Sequence, residues 1–234
     1  MTPANAAMHT RENLSVLAQS EKQALIWIAQ RLPRFINSDH LSALGLVAMA
    51  GAGLSFAAYR LTDWAAVGVV VSLVANWFGD SLDGTVARVR NQQRPRYGFY
   101  VDHIIDVAGT TVLFTGMAWS GLMSPVVALV ALVLFLVVSA ESYLATHAAG
   151  IFRMSFFGCG PTELRIVIAI GAIKAAMSPW AEFGSLGHLK LFDIGGVVAS
   201  IGLLIAFVVA SVRNTRALYR AEPLPLRSSE SRAA

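Results

Sequence analysis

Six stretches of this chain are apolar and long enough to be read as helices that cross a lipid bilayer, which needs about 20 residues per span. They run from Leu41 to Tyr59, Trp64 to Phe78, Ile104 to Leu122, Pro125 to Ala145, Leu164 to Trp180 and Ile194 to Val212. In hydrocarbon every backbone N–H and C=O needs a partner within the protein, so repeated stretches of this kind predict an all-α bundle of six transmembrane helices. The composition agrees: 56% of residues are hydrophobic and 14% charged, where a soluble domain carries about a quarter charged. The second and third spans look short because Asp80 ends one and Asp102 opens the other.

Six spans put both termini on one side, and the basic residues test that. Arg11, Lys22, Arg31 and Arg34 precede the first span, and Arg88, Arg90, Arg94 and Arg96 follow the second. Arg153 and Arg165 flank the connection after the fourth, and Arg213, Arg216, Arg220, Arg227 and Arg232 follow the sixth. Fifteen of the 18 basic residues thus fall on one side, leaving Arg60, Lys174 and Lys190 for the other. By the positive-inside rule the crowded side is cytosolic. The net charge of +4 is then read as suiting an anionic membrane surface, with no role for nucleic acid.

Three regions are expected: a cytosolic N-terminus over 1–40, a transmembrane catalytic unit over 41–212 and a polar cytosolic tail over 213–234. Within the first, Leu25, Ile28, Ala29, Leu32 and Ile36 recur at helical spacing among charged residues. This predicts an amphipathic helix lying in the membrane interface. The first residues lack the apolar core of a signal peptide, which points to a bacterial cytoplasmic membrane. One cysteine, Cys159 in the Gly158–Pro161 turn, leaves neither an intrachain disulfide nor a cysteine-based zinc site.

The chemistry concentrates between Asp80 and Asp106, where four of the seven aspartates lie. Asp80 and Asp83, three apart, share one helix face; Asp102 and Asp106, four apart, share a face of the next helix. Acidic groups beside hydrocarbon are costly without compensating charge. A hard divalent cation, magnesium or manganese, with oxygen ligands meets that need, and four carboxylates suffice for two ions. Gly84 and Ala87 leave a helix surface nearly bare of side chains, where a base or a pyrophosphate can approach. Arg88 adds forked donors suited to phosphate, and Gly98 falls one turn before Asp102.

These residues resemble the signature of the CDP-alcohol phosphotransferase family, D-x2-D-G-x2-A-R followed by G-x3-D-x3-D. Here it reads Asp80-Ser81-Leu82-Asp83-Gly84-Thr85-Val86-Ala87-Arg88, then Gly98-Phe99-Tyr100-Val101-Asp102-His103-Ile104-Ile105-Asp106. Every fixed position matches; the spacer from Val89 to Tyr97 is one residue longer than is usual, in a polar loop where insertions cost little. Asn37-Ser38-Asp39 stands where many relatives have Thr-Pro-Asn before the first span.

The resemblance implies that Asp80, Asp83, Asp102 and Asp106 bind two metal ions and that Asp106 is also the general base. It implies that Gly84, Ala87, Arg88 and Gly98 hold the CDP group, and that the protein is a homodimer. The expected reaction moves a phosphatidyl group from CDP-diacylglycerol to a small polar alcohol, with loss of CMP. Arg153 and Arg165 are candidates for a phosphorylated acceptor; the competing reading pairs one of them with Glu141. Lys174 lies too far along its helix to contribute. His103, beside Asp102, points away from it as neighbours on a helix do, and is read as a bystander. A soluble CDP-alcohol donor with a lipid acceptor, a metal-dependent phosphohydrolase and a divalent-cation transporter are the alternatives.

Overall fold

The protein, described as a computed structural model, has its structure defined for residues 10–12, 18–149, 151–153, 160–182, 188–222 and 224. Among these residues seven helices carry the fold: α1 (Ala18–Arg31), α2 (Ser38–Ala58), α3 (Ala65–Val89), α4 (Pro95–Ser120), α5 (Pro125–Ala149), α6 (Pro161–Met177) and α7 (Leu191–Ala221). Two pairs of three-residue strands join them. Strand β1 (Thr10–Glu12) runs parallel to β2 (Ile151–Arg153), and β3 (Trp180–Glu182) runs antiparallel to β4 (His188–Lys190). The all-α reading did not include these pairs. They give connecting backbone a partner for its N–H and C=O groups between helices.

Local chemistry sets the helix ends. Asn37 opens α2 with a capping box: its Oδ1 accepts from the His40 N–H at 3.0 Å, and its own N–H donates to His40 Nδ1 at 3.3 Å. Proline stands at the start of α4, α5 and α6, where its missing N–H costs nothing. Gly121, with φ of 82°, ends α4 in the left-handed region that glycine enters without strain. Between α3 and α4 the turn passes through Asn91 at φ 53°.

Helices α2, α3, α5 and α7 are long and apolar enough to cross a membrane. Helix α4, of 26 residues, is diluted by Asp102, His103 and Asp106, and α6 has 17 residues. The second expected span ends later in sequence than hydropathy suggested, because α3 continues through the acidic residues to Val89. Likewise α4 begins seven residues before Asp102, at Pro95, and α7 runs past Val212 into the arginine-rich stretch.

α2 lies against both α3 and α4, and the approach is close enough to require glycine. A Cβ on Gly53 would come within 2.6 Å of the Val112 carbonyl oxygen, and one on Gly79 within 2.6 Å of the Gly45 nitrogen. The small face of α2, with Gly45, Ala48 and Ala52 all buried, is therefore used between helices of one chain. Phe56, Val69, Leu73, Leu113, Met117 and Phe192 form the main core towards one end of the bundle. Phe56 meets Phe192 edge to face with centroids 5.4 Å apart.

A second apolar cluster at the other end joins α1 to the bundle. Leu25 and Ala29 are buried against Leu41, Leu82 and Val86, with Ile28, Leu32 and Ile36 packed alongside. The stripe predicted for α1 thus rests on α2 and α3, while Trp27 on its other side is 57% exposed. Arg90 fastens the α1–α2 connection by donating to the carbonyls of Ile36, Leu32 and Pro33 at 2.5, 2.8 and 3.1 Å.

Candidate active site

The four aspartates converge. Asp80 and Asp83 from α3 and Asp102 and Asp106 from α4 line one small cavity, completed by Ser42, Gly45 and Met49 of α2 and by Asn76 and Ile105. The three-helix packing explains this placement. Gly45 and Gly79 bring α2 and α3 almost into backbone contact beside Asp80 and one turn before Asp83, so α2 forms the floor against which both acidic faces turn.

Each acid has its own surroundings. Asp80 forms an ion pair with the Arg165 guanidinium of α6. Arg165 Nε donates to Asn76 Oδ1 at 2.7 Å, and Asn76 Nδ2 donates to the Gly45 carbonyl at 2.9 Å. Asp83 accepts 2.6 Å from Ser42 Oγ and also from the N–H of Gly84. Asp102 lies 3.7 Å from His103 Nδ1. No group of three or more His, Cys, Asp or Glu among the described residues is arranged around a single ion position. The donor set nevertheless fits a hard divalent cation: four carboxylates and two neutral oxygens, Ser42 Oγ and Asn76 Oδ1, in one cavity.

Beyond the acids, the remaining predicted residues separate. Gly84, Ala87 and Arg88 continue α3 towards the α3–α4 turn. Arg88 Nη2 donates to Thr85 Oγ1 at 2.9 Å, and its Nη1 would lie 3.2 Å from a Cβ on Gly84. Gly98 sits in the first turn of α4 with open space where a Cβ would point. Arg165 belongs to the acidic cavity through Asp80. Arg153 lies in β2, and its side chain falls outside the described residues, as does Cys159 altogether.

Of the two arginines weighed as partners of Glu141, Arg165 pairs with Asp80, and the side chain of Arg153 lies outside the described residues. Glu141 Oε1 accepts 2.7 Å from Asn214 Nδ2, which joins α5 to α7. His103 does not point clear of Asp102 as expected, since its Nδ1 lies 3.7 Å from that carboxylate; its ring also packs on Phe99 at 4.0 Å and Tyr143 at 4.6 Å, and it does not line the cavity.

A sequence model of the CDP-alcohol phosphatidyltransferase family matches residues 39–212, the segment that holds all four aspartates. The chain belongs to this family. The crystal structure of Mycobacterium tuberculosis phosphatidylinositol phosphate synthase (PgsA1) with CDP-DAG bound is similar in fold, with a TM-score of 0.60. The likeness covers 87% of this chain and 100% of that one at 20% sequence identity. No curated protein matches the chain in sequence.

Two residues of this phosphatidyltransferase site escaped the sequence reading. Asn76 had a signal: it is the polar residue inside an apolar run, four before Asp80 and so on the same helix face. Ser42 had none, since its contact with Asp83 spans 41 residues and depends on how α2 packs.

Proposed function

We propose that the protein transfers a phosphatidyl group from CDP-diacylglycerol to the hydroxyl of a small polar alcohol, releasing CMP. The observation that carries this reading is the convergence of Asp80, Asp83, Asp102 and Asp106 on one cavity, within a segment that matches the family over its whole acidic signature. The CDP-DAG bound by the similar PgsA1 structure supports the choice of donor.

Asp80, Asp83, Asp102 and Asp106 would hold two magnesium or manganese ions. Such ions, when bound, supply positive charge against the pyrophosphate oxygens of the donor. Gly84 and Ala87 leave room for the cytidine diphosphate along α3, Arg88 offers forked donors to its phosphates, and Gly98 keeps the facing turn of α4 open. Asp106 takes the proton of the acceptor hydroxyl. The oxygen forms its bond to the β-phosphorus while the bond from that phosphorus to the CMP oxygen breaks, so CMP leaves and the phosphodiester remains. Ser42 holds Asp83, and Arg165 with Asn76 holds Asp80, so neither carboxylate swings away from the cavity.

We place six helices, α2 to α7, across the bilayer, with the 41–212 unit as the catalytic part. At about 1.5 Å per residue, α4 rises about 39 Å, more than a hydrocarbon core of about 30 Å, and α6 about 25 Å, slightly less. Exposed Trp64, Trp119 and Trp180 cluster at the end remote from the aspartates, as interfacial anchors do. The arginine-rich connections share the acidic end. On the positive-inside rule the cavity and both termini face the cytosol, α1 lies beside the cytosolic interface, and a homodimer in a bacterial cytoplasmic membrane is the expected form.

The decisive experiment measures CMP release from CDP-diacylglycerol by the detergent-purified protein, with magnesium and a panel of alcohols. Release that needs one particular alcohol supports the transferase and names its acceptor. Release without any alcohol points to hydrolysis. No release with any alcohol, and none from soluble CDP-alcohols with a lipid acceptor, overturns the reading.

A further inference from the structure

Two sets of contacts tie α3 to α6 at the acidic end. In the first, Asn76 and Asp80 hold Arg165. In the second, the residue after each of these, Trp77 and Ser81, donates to Glu21 of α1: Trp77 Nε1 at 2.6 Å and Ser81 Oγ at 3.4 Å. The same oxygen of Glu21, Oε1, accepts 2.8 Å from Thr162 Oγ1. Thr162 stands one turn before Arg165 on α6, so the two sets are parallel rungs between the same pair of helices.

Leu25 and Ala29 also hold α1 on the bundle, and Arg90 fastens the connection that follows it. What its carboxylate adds is a fixed distance from α3 to the start of α6. A further hydrogen bond to α6 among the described residues, Tyr59 Oη to the Ala172 carbonyl at 2.6 Å, lies nearly three turns past Thr162. Hydrogen bonds to an ionised acceptor are roughly twice as strong as neutral ones, and three donors on one oxygen leave it little freedom. A shift of the first turn of α6 would carry Arg165 off Asp80 and leave that carboxylate free to turn.

We infer that Glu21, on the N-terminal helix and outside the family segment of 39–212, is a positioning residue for the transfer, acting through Thr162 and α6 on the Arg165–Asp80 pair. The inference rests on the transferase reading above.

Steady-state CMP release by Glu21→Ala, Glu21→Gln, Thr162→Val and the Glu21→Ala/Thr162→Val double variant tests it. Misplacement of reacting groups costs kcat, so Glu21→Ala and Thr162→Val should each lower kcat about tenfold. KM for CDP-diacylglycerol should stay within about twofold, since Glu21 binds no part of the donor. Because all three donors meet one oxygen, Glu21→Gln keeps the acceptor and should restore most of kcat. The double variant should be no slower than either single one, as expected for two ends of one contact. Unaltered kcat in Glu21→Ala and Thr162→Val overturns the inference while the transferase stands, as does a rise in KM alone or full additivity in the double variant. If Glu21→Ala fails to fold, Thr162→Val decides, because it removes the same rung from the other side. A wild-type protein that releases no CMP overturns the transferase reading and this inference with it.

Discussion

Arg165 of α6 forms an ion pair with Asp80 of α3, and the same guanidinium is steadied by Asn76, one turn before that aspartate. A helix that contributes no carboxylate to the cavity therefore governs the orientation of one that does. This separates two roles for Arg165. An acceptor-binding arginine would change KM for the alcohol when lost, whereas one that holds Asp80 would change kcat. The expected outcome for Arg165→Ala is a fall in kcat of about a hundredfold, the scale of misplacing a reacting group by an ångström. The acceptor KM should change little. Arg165→Lys should recover only part of the loss, because an ammonium cannot reach Asp80 and Asn76 together as a planar fork does.

Asp106→Asn isolates the proposed base. Asparagine keeps the shape and one oxygen but cannot take a proton. CMP release should fall at least a hundredfold, within the range that general-base catalysis contributes. The folded state should be preserved, since asparagine has nearly the volume of the aspartate it replaces and brings no new charge into the cavity. Thermal unfolding followed beside the activity assay checks both halves.

The acidic site was largely legible because its signal is local. Helical spacing alone pairs Asp80 with Asp83 and Asp102 with Asp106, and the short turn between α3 and α4 then brings the pairs together. Residues that reach the site from elsewhere carry no such mark. Ser42 looks like any small polar residue near a helix start, and Glu21 sits in a polar stretch where a carboxylate is unremarked. Hydropathy also misjudged where α3 and α4 meet the turn. A window that scores burial in lipid stops at the first acid, while the backbone continues helical because its hydrogen bonds do not depend on what the side chains face. The predicted stripe on α1 was read correctly as apolar, but spacing cannot tell whether lipid or protein covers it; Leu41, Leu82 and Val86 are the answer.

Removing metal tests the donor set directly. Four carboxylates facing one cavity repel one another, and Arg165 meets the charge of Asp80. Dialysis against a chelator should abolish CMP release, and magnesium or manganese should restore it while a monovalent salt of equal ionic strength does not. The metal-free protein should also unfold at lower temperature, because a ligand that binds the folded state alone stabilises it.

Gly79 and Gly98 give opposite expectations, and that contrast tests the proposed role of Gly98 in holding the donor. A Cβ on Gly79 would lie 2.6 Å from the Gly45 nitrogen, which is backbone and cannot swing aside. Gly79→Ala should therefore push α2 from α3 and cost about 1–3 kcal/mol of stability, as overpacking of a tight core does. Gly98 meets nothing within 4 Å of the same added atom, so Gly98→Ala is free of any clash within the chain. In a helix interior alanine is favoured over glycine by up to about 1 kcal/mol, so thermal stability should hold or rise. If the bare surface of that turn exists to admit the donor, Gly98→Ala should nevertheless raise KM for CDP-diacylglycerol by about tenfold, the cost of roughly 1.4 kcal/mol in lost contact. Unfolding temperature and KM measured on the same preparation separate the two effects: an unchanged KM would remove Gly98 from the donor site.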